Sequence, residues 1–282
     1  MKVAKWTDYQ VLHTGDGLKL ERWKDVYLLR PDPQVIWQSR IDMRKFPKLN
    51  AEYHRSETGG GKWNVLKKFP DEWTVSYKDL KFLIKPMGFK HTGLFPEQAV
   101  NWDRMISLIK NEKREINVLN LFAYTGGATV ACSYAGATVC HVDAAKNMVE
   151  RAKENMSLSG LQDKPVRYIV DDCKKFVQRE IRRGKKYDAI IMDPPSYGRG
   201  PNGEMWKLEN ELYGLVELCK EVLSDNPLFF LINSYTTGLQ PQVIKNILQL
   251  ILPKGQVDAD EIGVETDEGI VLPCGCSGFW TR

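Results

Sequence analysis

From residue 115 onward the chain alternates short β-branched or apolar runs with amphipathic stretches, a pattern that leaves few folds open. Five runs, at residues 116–122, 138–142, 166–170, 187–192 and 228–232, read as strands. The stretches between them have helical spacing, with Met148, Ala152, Asn155 and Met156 on one side of the second. Strands that alternate with helices pair in parallel, and right-handed crossovers place helices on both faces of the sheet. The expected fold is therefore a doubly wound, mostly parallel α/β sheet.

Before residue 95 the text changes. Short runs rich in Trp, Tyr and Val are separated by Gly15-Asp16-Gly17, Pro31-Asp32-Pro33, Gly59-Gly60-Gly61 and Pro70-Asp71. These are turn signals between short antiparallel strands, expected at 18–23, 26–30, 73–77 and 80–85. The reading is a small β-rich module over residues 1–94 and an α/β domain over 95–282, joined by a helix at 96–111. A chain of 282 residues has room for both.

Composition excludes several classes. With 43% hydrophobic and 27% charged residues the chain is neither disordered nor collagen-like. The run from Leu228 to Ile232 stops at Asn233, far short of the roughly 18 apolar residues of a membrane span. The first residues, Met1-Lys2-Val3-Ala4-Lys5, have no apolar core of a secretory signal, so a cytoplasmic location is expected. Six cysteines without regular spacing are expected as free thiols. A net charge of +4 permits a nucleic-acid partner without requiring one.

Open α/β sheets bind ligands beyond the carboxyl ends of their strands, so the residues that follow each strand carry the chemistry. The first strand runs into Ala123-Tyr124-Thr125-Gly126-Gly127, where glycines let the backbone turn sharply and approach a ligand. The second ends at Asp143, 23 positions after Asn120, near the offset expected of an acid that takes a ribose diol. The third ends in Asp171-Asp172, although an Asp after a strand is commonly a helix N-cap. The fourth ends in Asp193-Pro194-Pro195-Ser196-Tyr197. Two prolines remove two backbone donors and leave a rigid, carbonyl-rich edge beside a carboxylate and an aromatic ring. Such an edge suits a planar acceptor with an exocyclic amine.

With these motifs in this order, and with His91-Thr92-Gly93-Leu94-Phe95-Pro96-Glu97-Gln98 upstream, the chain resembles the class I S-adenosylmethionine-dependent methyltransferases over residues 75–282. Within them it is most similar to the bacterial large-subunit ribosomal RNA methyltransferases. The resemblance implies a Rossmann-like, seven-stranded sheet, S-adenosyl-L-methionine as cofactor, and a base in RNA, ribosomal by preference, as acceptor. It implies that Asn120, Phe122, Tyr124, Thr125, Gly126 and Gly127 surround the methionine part of the cofactor. It further implies that Asp143 takes the ribose hydroxyls and that Asp172 and Cys173 border the adenine. Thr92 and Gln98 would close over the cofactor, and Asp193, Pro194 and Tyr197 would form the transfer site. No metal is expected; Cys274-Gly275-Cys276 offers two ligands where a closed zinc site needs about four.

The group often carries an RNA-binding module of the pseudouridine-synthase-associated type, and the text ahead of the β-rich segment is too short for one. Its cytosine-C5 members also carry a cysteine after the fifth strand, where this chain has Asn233-Ser234-Tyr235-Thr236. Methylation at a nitrogen is therefore expected. Two other readings are a nicotinamide-dependent oxidoreductase, which lacks its Gly-x-Gly-x-x-Gly turn here, and a non-enzymatic RNA-binding protein. Basic pairs at 174–175, 182–183 and 185–186 read first as a solvated face. Trp206 is a candidate for base stacking, and Arg199, between Gly198 and Gly200, for a phosphate contact.

Overall fold

A computed structural model describes residues 1–56, 60–88, 90–199 and 205–282 of the chain. They form two compact units, one of Lys2–Val100 with Gly263–Cys274, the other of Asn101–Ile262 with Gly275–Arg282 and Met1. The boundary expected at 94/95 thus falls at 100/101. Residues 263–274 join the amino-terminal unit because Thr266 bridges to Val11 and the Glu268 carboxylate accepts from the Thr14 N–H at 2.8 Å.

The amino-terminal unit holds β1 (Lys2–Val3), β2 (Tyr9–Gly15), β3 (Leu18–Trp23), β4 (Val26–Pro31), β5 (Ala51–Arg55), β6 (Gly61–Val65), β7 (Trp73–Tyr77) and β8 (Leu80–Ile84). Strands β2 to β6 make a sheet in chain order, and β7 and β8 a hairpin. The strands β3, β4, β7 and β8 lie where the turn signals place them. By contrast β2, β5 and β6 are mixed in polarity, which hides them from a pattern search. Strand β5 runs parallel to β4, against the antiparallel expectation. The intervening segment returns across the sheet, where Met43 and Leu49 pack with Leu20 and Leu29 in a small core. Of the Gly59-Gly60-Gly61 turn, Gly59 lies outside the described residues.

The chain then enters α1 (Ala99–Asn111) through a single 3-10 turn begun by Pro96, whose fixed φ suits a helix start. In order follow β9 (Asn117–Leu121), α2 (Gly127–Tyr134), β10 (Thr138–Asp143), α3 (Lys146–Leu158), β11 (Val166–Val170), α4 (Cys173–Arg182) and β12 (Ala189–Met192). A short hairpin, β13 (Tyr197–Arg199) and β14 (Met205–Lys207), leads to α5 (Leu208–Lys220), β15 (Phe229–Ser234), α6 (Pro241–Ile251), β16 (Gln256–Glu265) and β17 (Val271–Thr281). Among the described residues, seven strands of this unit run in the order β16-β17-β15-β12-β9-β10-β11 in one sheet, and β13 and β14 pair apart from it. From β15 to β11 every neighbour is parallel, whereas β17 is antiparallel to β15.

Every residue of β12 and of β15 is buried, as central parallel strands require when helices cover both faces. Each large apolar side chain among them contributes roughly 1.5–3 kcal/mol by leaving water. The edge strand β11 has no fully buried residue. Chain order reverses at β9, which lies between β10 and β12. Open α/β sheets form their ligand crevice at such a switch point, which here lies beyond the carboxyl ends of β9 and β12. Among the described residues no helix is long and apolar enough to cross a membrane.

Candidate active site at the strand ends

The turn after β9 is bent by three residues in the left-handed region: Phe122 at φ 53°, Tyr124 at φ 50° and Gly126 at φ 81°. Two aromatic residues at positive φ cost on the order of 1–3 kcal/mol each, and the surroundings hold them there. The Ala123 N–H donates to the Val142 carbonyl at 3.0 Å, the Tyr124 N–H to Asp143 Oδ2 at 2.8 Å and the Phe122 N–H to Cys173 Sγ at 3.2 Å. From α3, the buried Asn155 amide donates to the Thr125 carbonyl at 2.8 Å.

The two glycines are needed here for approach to the protein itself. A Cβ at Gly126 would stand 2.8 Å from Ala152 Cβ on α3, and one at Gly127 would stand 2.7 Å from the Trp102 ring on α1. The absence of a side chain at both positions thus lets α2 pack between its neighbours.

Asp143 ends β10 half-buried. Its Oδ2 accepts from Tyr124 and its Oδ1 from the Ala145 N–H at 2.8 Å. Burial raises its carboxyl above the ordinary value, offset in part by those two backbone donors. Asp172 takes the bland role open to it: it is the N-cap of α4, accepting from the Lys175 N–H at 2.8 Å, with an exposed side chain. Asp171 pairs with Arg179. Cys173 is buried with its sulfur on the Phe122 N–H, and burial pushes its thiol well up.

Asn120 does not reach the turn's surface. It is buried, and its amide donates to Thr129 Oγ1 at 3.0 Å; Thr129 Oγ1 lies 2.9 Å from His141 Nδ1. The Thr129 hydroxyl thus joins Asn120 to His141, and the other ring nitrogen of His141, Nε2, is buried without a hydrogen-bond partner among the described residues. Burial lowers the His141 pKa to about 3, so the ring is neutral. Thr129, His141 and Asn155 support the turn from beneath. None is conspicuous in the sequence, since a polar residue at a core position shows only once the strand and helix faces are known.

The acceptor side is built differently. Asp193 follows β12, its N–H directed at the Leu121 carbonyl at 3.4 Å. Pro194 is buried, whereas Pro195, Ser196 and Tyr197 are exposed, Tyr197 at 49%. Trp206 braces this edge: its indole N–H donates to the Pro195 carbonyl at 2.6 Å and its ring lies 5.7 Å from that of Phe122. It is thus a prop between the two sides of the crevice. Thr236, beyond β15, donates to Ser196 Oγ at 2.7 Å. At the base of that strand end, Asn233, Asn101 and Ser277 form a buried network with bonds of 2.8–3.1 Å.

Thr92 and Gln98 belong to the amino-terminal unit, where both are buried. Cys276 stands opposite Ser234 across β15 and β17, buried, with burial pushing its thiol up to about 11. Gly200 lies outside the described residues, as does the side chain of Arg199. Of the basic pairs, Lys174 and Arg183 hold Glu211 and Glu180.

Residues 53–225 match the family model of the S-adenosylmethionine-dependent methyltransferases. The chain is 25% identical over 268 residues to ribosomal RNA large subunit methyltransferase K/L of Shewanella frigidimarina, covering 89% of this chain and 36% of that protein. It is 25% identical over 226 residues to ribosomal RNA large subunit methyltransferase K of Neisseria meningitidis, covering 77% of this chain and 63% of the relative. The chain therefore spans between about a third and two thirds of the length of these relatives. A SAM-dependent methyltransferase from Agrobacterium tumefaciens superposes with a TM-score of 0.92 at 33% identity, covering 99% of this chain and 91% of that one. The match over more than half the sequence, on the sheet order and strand-end turn described above, makes this chain a member of the S-adenosylmethionine-dependent methyltransferase family.

Proposed function

We propose that the chain transfers a methyl group from S-adenosylmethionine to a base in RNA, ribosomal RNA first, in the cytoplasm. The observation that carries the acceptor class is the edge after β12, a carboxylate, a rigid Pro-Pro carbonyl row and a half-exposed Tyr197 braced by Trp206, in a chain whose relatives are named for ribosomal RNA. An amine donates to the carboxylate and carbonyls of such an edge, and a base plane stacks on the ring. The nicotinamide reading leaves this edge without a role.

The cofactor side fits the group it would hold. Asp143 has one backbone donor on each oxygen, so each keeps a lone pair for one hydroxyl of a ribose diol. The turn from Phe122 to Gly127 would face the methionine part, and Asp172 with Cys173 would border the adenine. The bound cofactor supplies an already activated methyl group. What remains for the protein is to align the acceptor in line with it and exclude water. In that arrangement Asp193 orients, and where needed deprotonates, the attacking amine, with Pro194 and Tyr197 holding the base.

The acceptor atom is read as a nitrogen. Attack at cytosine C5 needs a thiolate at C6, and the thiols near the strand ends, Cys173 and Cys276, are held protonated by burial. Labelled methyl transfer to ribosomal RNA, with mass spectrometry of its nucleosides from cells with and without the gene, tests the function. One nitrogen-methylated nucleoside missing without the gene is expected. Unchanged nucleosides and no transfer in vitro would overturn the RNA reading. A denaturation-resistant adduct on RNA containing 5-fluorocytidine would overturn the nitrogen assignment.

A further inference from the structure

The amino-terminal unit carries a groove that the transfer site does not use. On one face of its sheet Gln10 of β2, Arg22 of β3 and Tyr27 of β4 stand opposite one another in register, one row across three strands. Phe46 walls the row, its ring 5.6 Å from that of Tyr27 at 39°, and Lys48 Nζ stands 5.7 Å from the Tyr27 ring centre. These residues line an open groove of about 440 Å³.

Its charge is one-sided. Arg22 is held by neutral acceptors: Gln10 Oε1 at 3.1 Å and the carbonyls of Thr7 and Lys24 at 2.9 and 3.1 Å. Lys48 lies over a ring, and Lys67 donates to the Pro47 carbonyl at the groove wall. None of these three cations has a carboxylate partner among the described residues, whereas nearby Arg44 and Lys45 are paired with Glu52 and Asp42. Asp267, the acid that touches the row, accepts from the Gln10 amide.

A fixed guanidinium and two ammonium groups without carboxylate partners, around two neighbouring, half-buried rings, match a flexible polyanion with planar faces. An acidic peptide supplies the charge without the planes. We propose that this groove binds a single-stranded segment of RNA, a base stacking on Tyr27 with Phe46 at its edge while Arg22, Lys48 and Lys67 flank its phosphates. The choice of RNA over DNA rests on the function proposed above.

The test uses the full chain and a labelled oligouridine of about 12 nucleotides, within the span such grooves cover, followed by fluorescence anisotropy across a salt series. Lys48→Glu should weaken binding roughly tenfold and reduce the slope of log affinity against log salt by about one. Tyr27→Ala should weaken it roughly tenfold with the slope retained. Both should keep wild-type affinity for S-adenosylhomocysteine and the wild-type circular dichroism spectrum, which reports folding of the whole chain. Lys48 is exposed, so its variant decides the matter if Tyr27→Ala does not fold. Unchanged oligouridine affinity and slope in Lys48→Glu, or no binding by wild type, would overturn the groove. Equally tight, equally Lys48-dependent binding of oligothymidine or polyglutamate would overturn RNA as its occupant. If binding depends on these residues while no RNA is methylated, the groove stands and the proposed function fails.

Discussion

The turn from Phe122 to Gly126 and the edge from Pro194 to Tyr197 leave adjacent strands of one sheet, yet they are held in opposite ways. The first is strained at Phe122 and Tyr124 and pinned from below by Val142, Asp143, Asn155 and Cys173. The second is stiffened by its own prolines, braced from the side by Trp206 and Thr236, and exposed over three of its four residues. The contrast follows from what each side would meet. A small ligand of constant shape rewards a preorganised turn, whereas a large acceptor needs an edge it can reach.

Substitutions on each side should therefore separate binding from turnover. The largest effect is expected at Asp193: Asp193→Ala should lower methyl transfer a hundredfold or more, about 2.7 kcal/mol in activation, while calorimetry shows cofactor affinity nearly unchanged. Equal losses in both would place Asp193 on the cofactor side. Next, Asp143→Ala should weaken cofactor binding ten- to a hundredfold, about 1.5–3 kcal/mol, in a protein that still folds. Unchanged calorimetric affinity would remove Asp143 from the site.

Gly126→Ala combines a left-handed backbone with a 2.8 Å approach to Ala152, and should cost roughly 2 kcal/mol in a denaturant titration. Adding Ala152→Gly should return the part due to the clash and leave the backbone strain. Full recovery would show that the φ angle is not strained.

The effect smallest at neutral pH is that of an ionisation. His141 has its pKa lowered from 6.5 to about 3 by burial, so below about 6.5 the unfolded chain takes up a proton that the native state refuses. The contribution is therefore complete above pH 6.5 and is lost as the pH falls toward 3. His141→Gln should flatten the loss of stability between pH 6 and 4 by up to about 1.4 kcal/mol per pH unit. An unchanged slope would mean that the ring is protonated in place.

How much of this was legible before the structure depends on the range of the interactions concerned. The five parallel strands, the helix after Pro96 and the hairpin of β7 and β8 rest on local periodicity and turn chemistry. The last two strands rest on neither: β16 runs Gln-Val-Asp-Ala-Asp-Glu, and β17 is broken by Pro273, Gly275 and Gly278. They are strands because β15 offers an edge, with Phe229 to Ser234 paired against Thr281 to Cys276.

The site divides along the same line. That Gly126, Asp143 and Asp193 stand at strand ends follows from strand lengths, because a parallel sheet delivers the carboxyl ends of its strands to one side. What each side chain does there was decided by partners far away in sequence. Asn120 turned out to support Thr129 and His141 from the core, Asp172 became a cap, and Trp206 became a brace. The buried pair of Glu21 and Arg30, and the row of Gln10, Arg22 and Tyr27, likewise exist only through cross-strand register. Sequence determines periodicity and turns, which are properties of neighbouring residues. Burial and hydrogen-bond partners are properties of the packed chain, and only packing shows which carboxylate caps a helix.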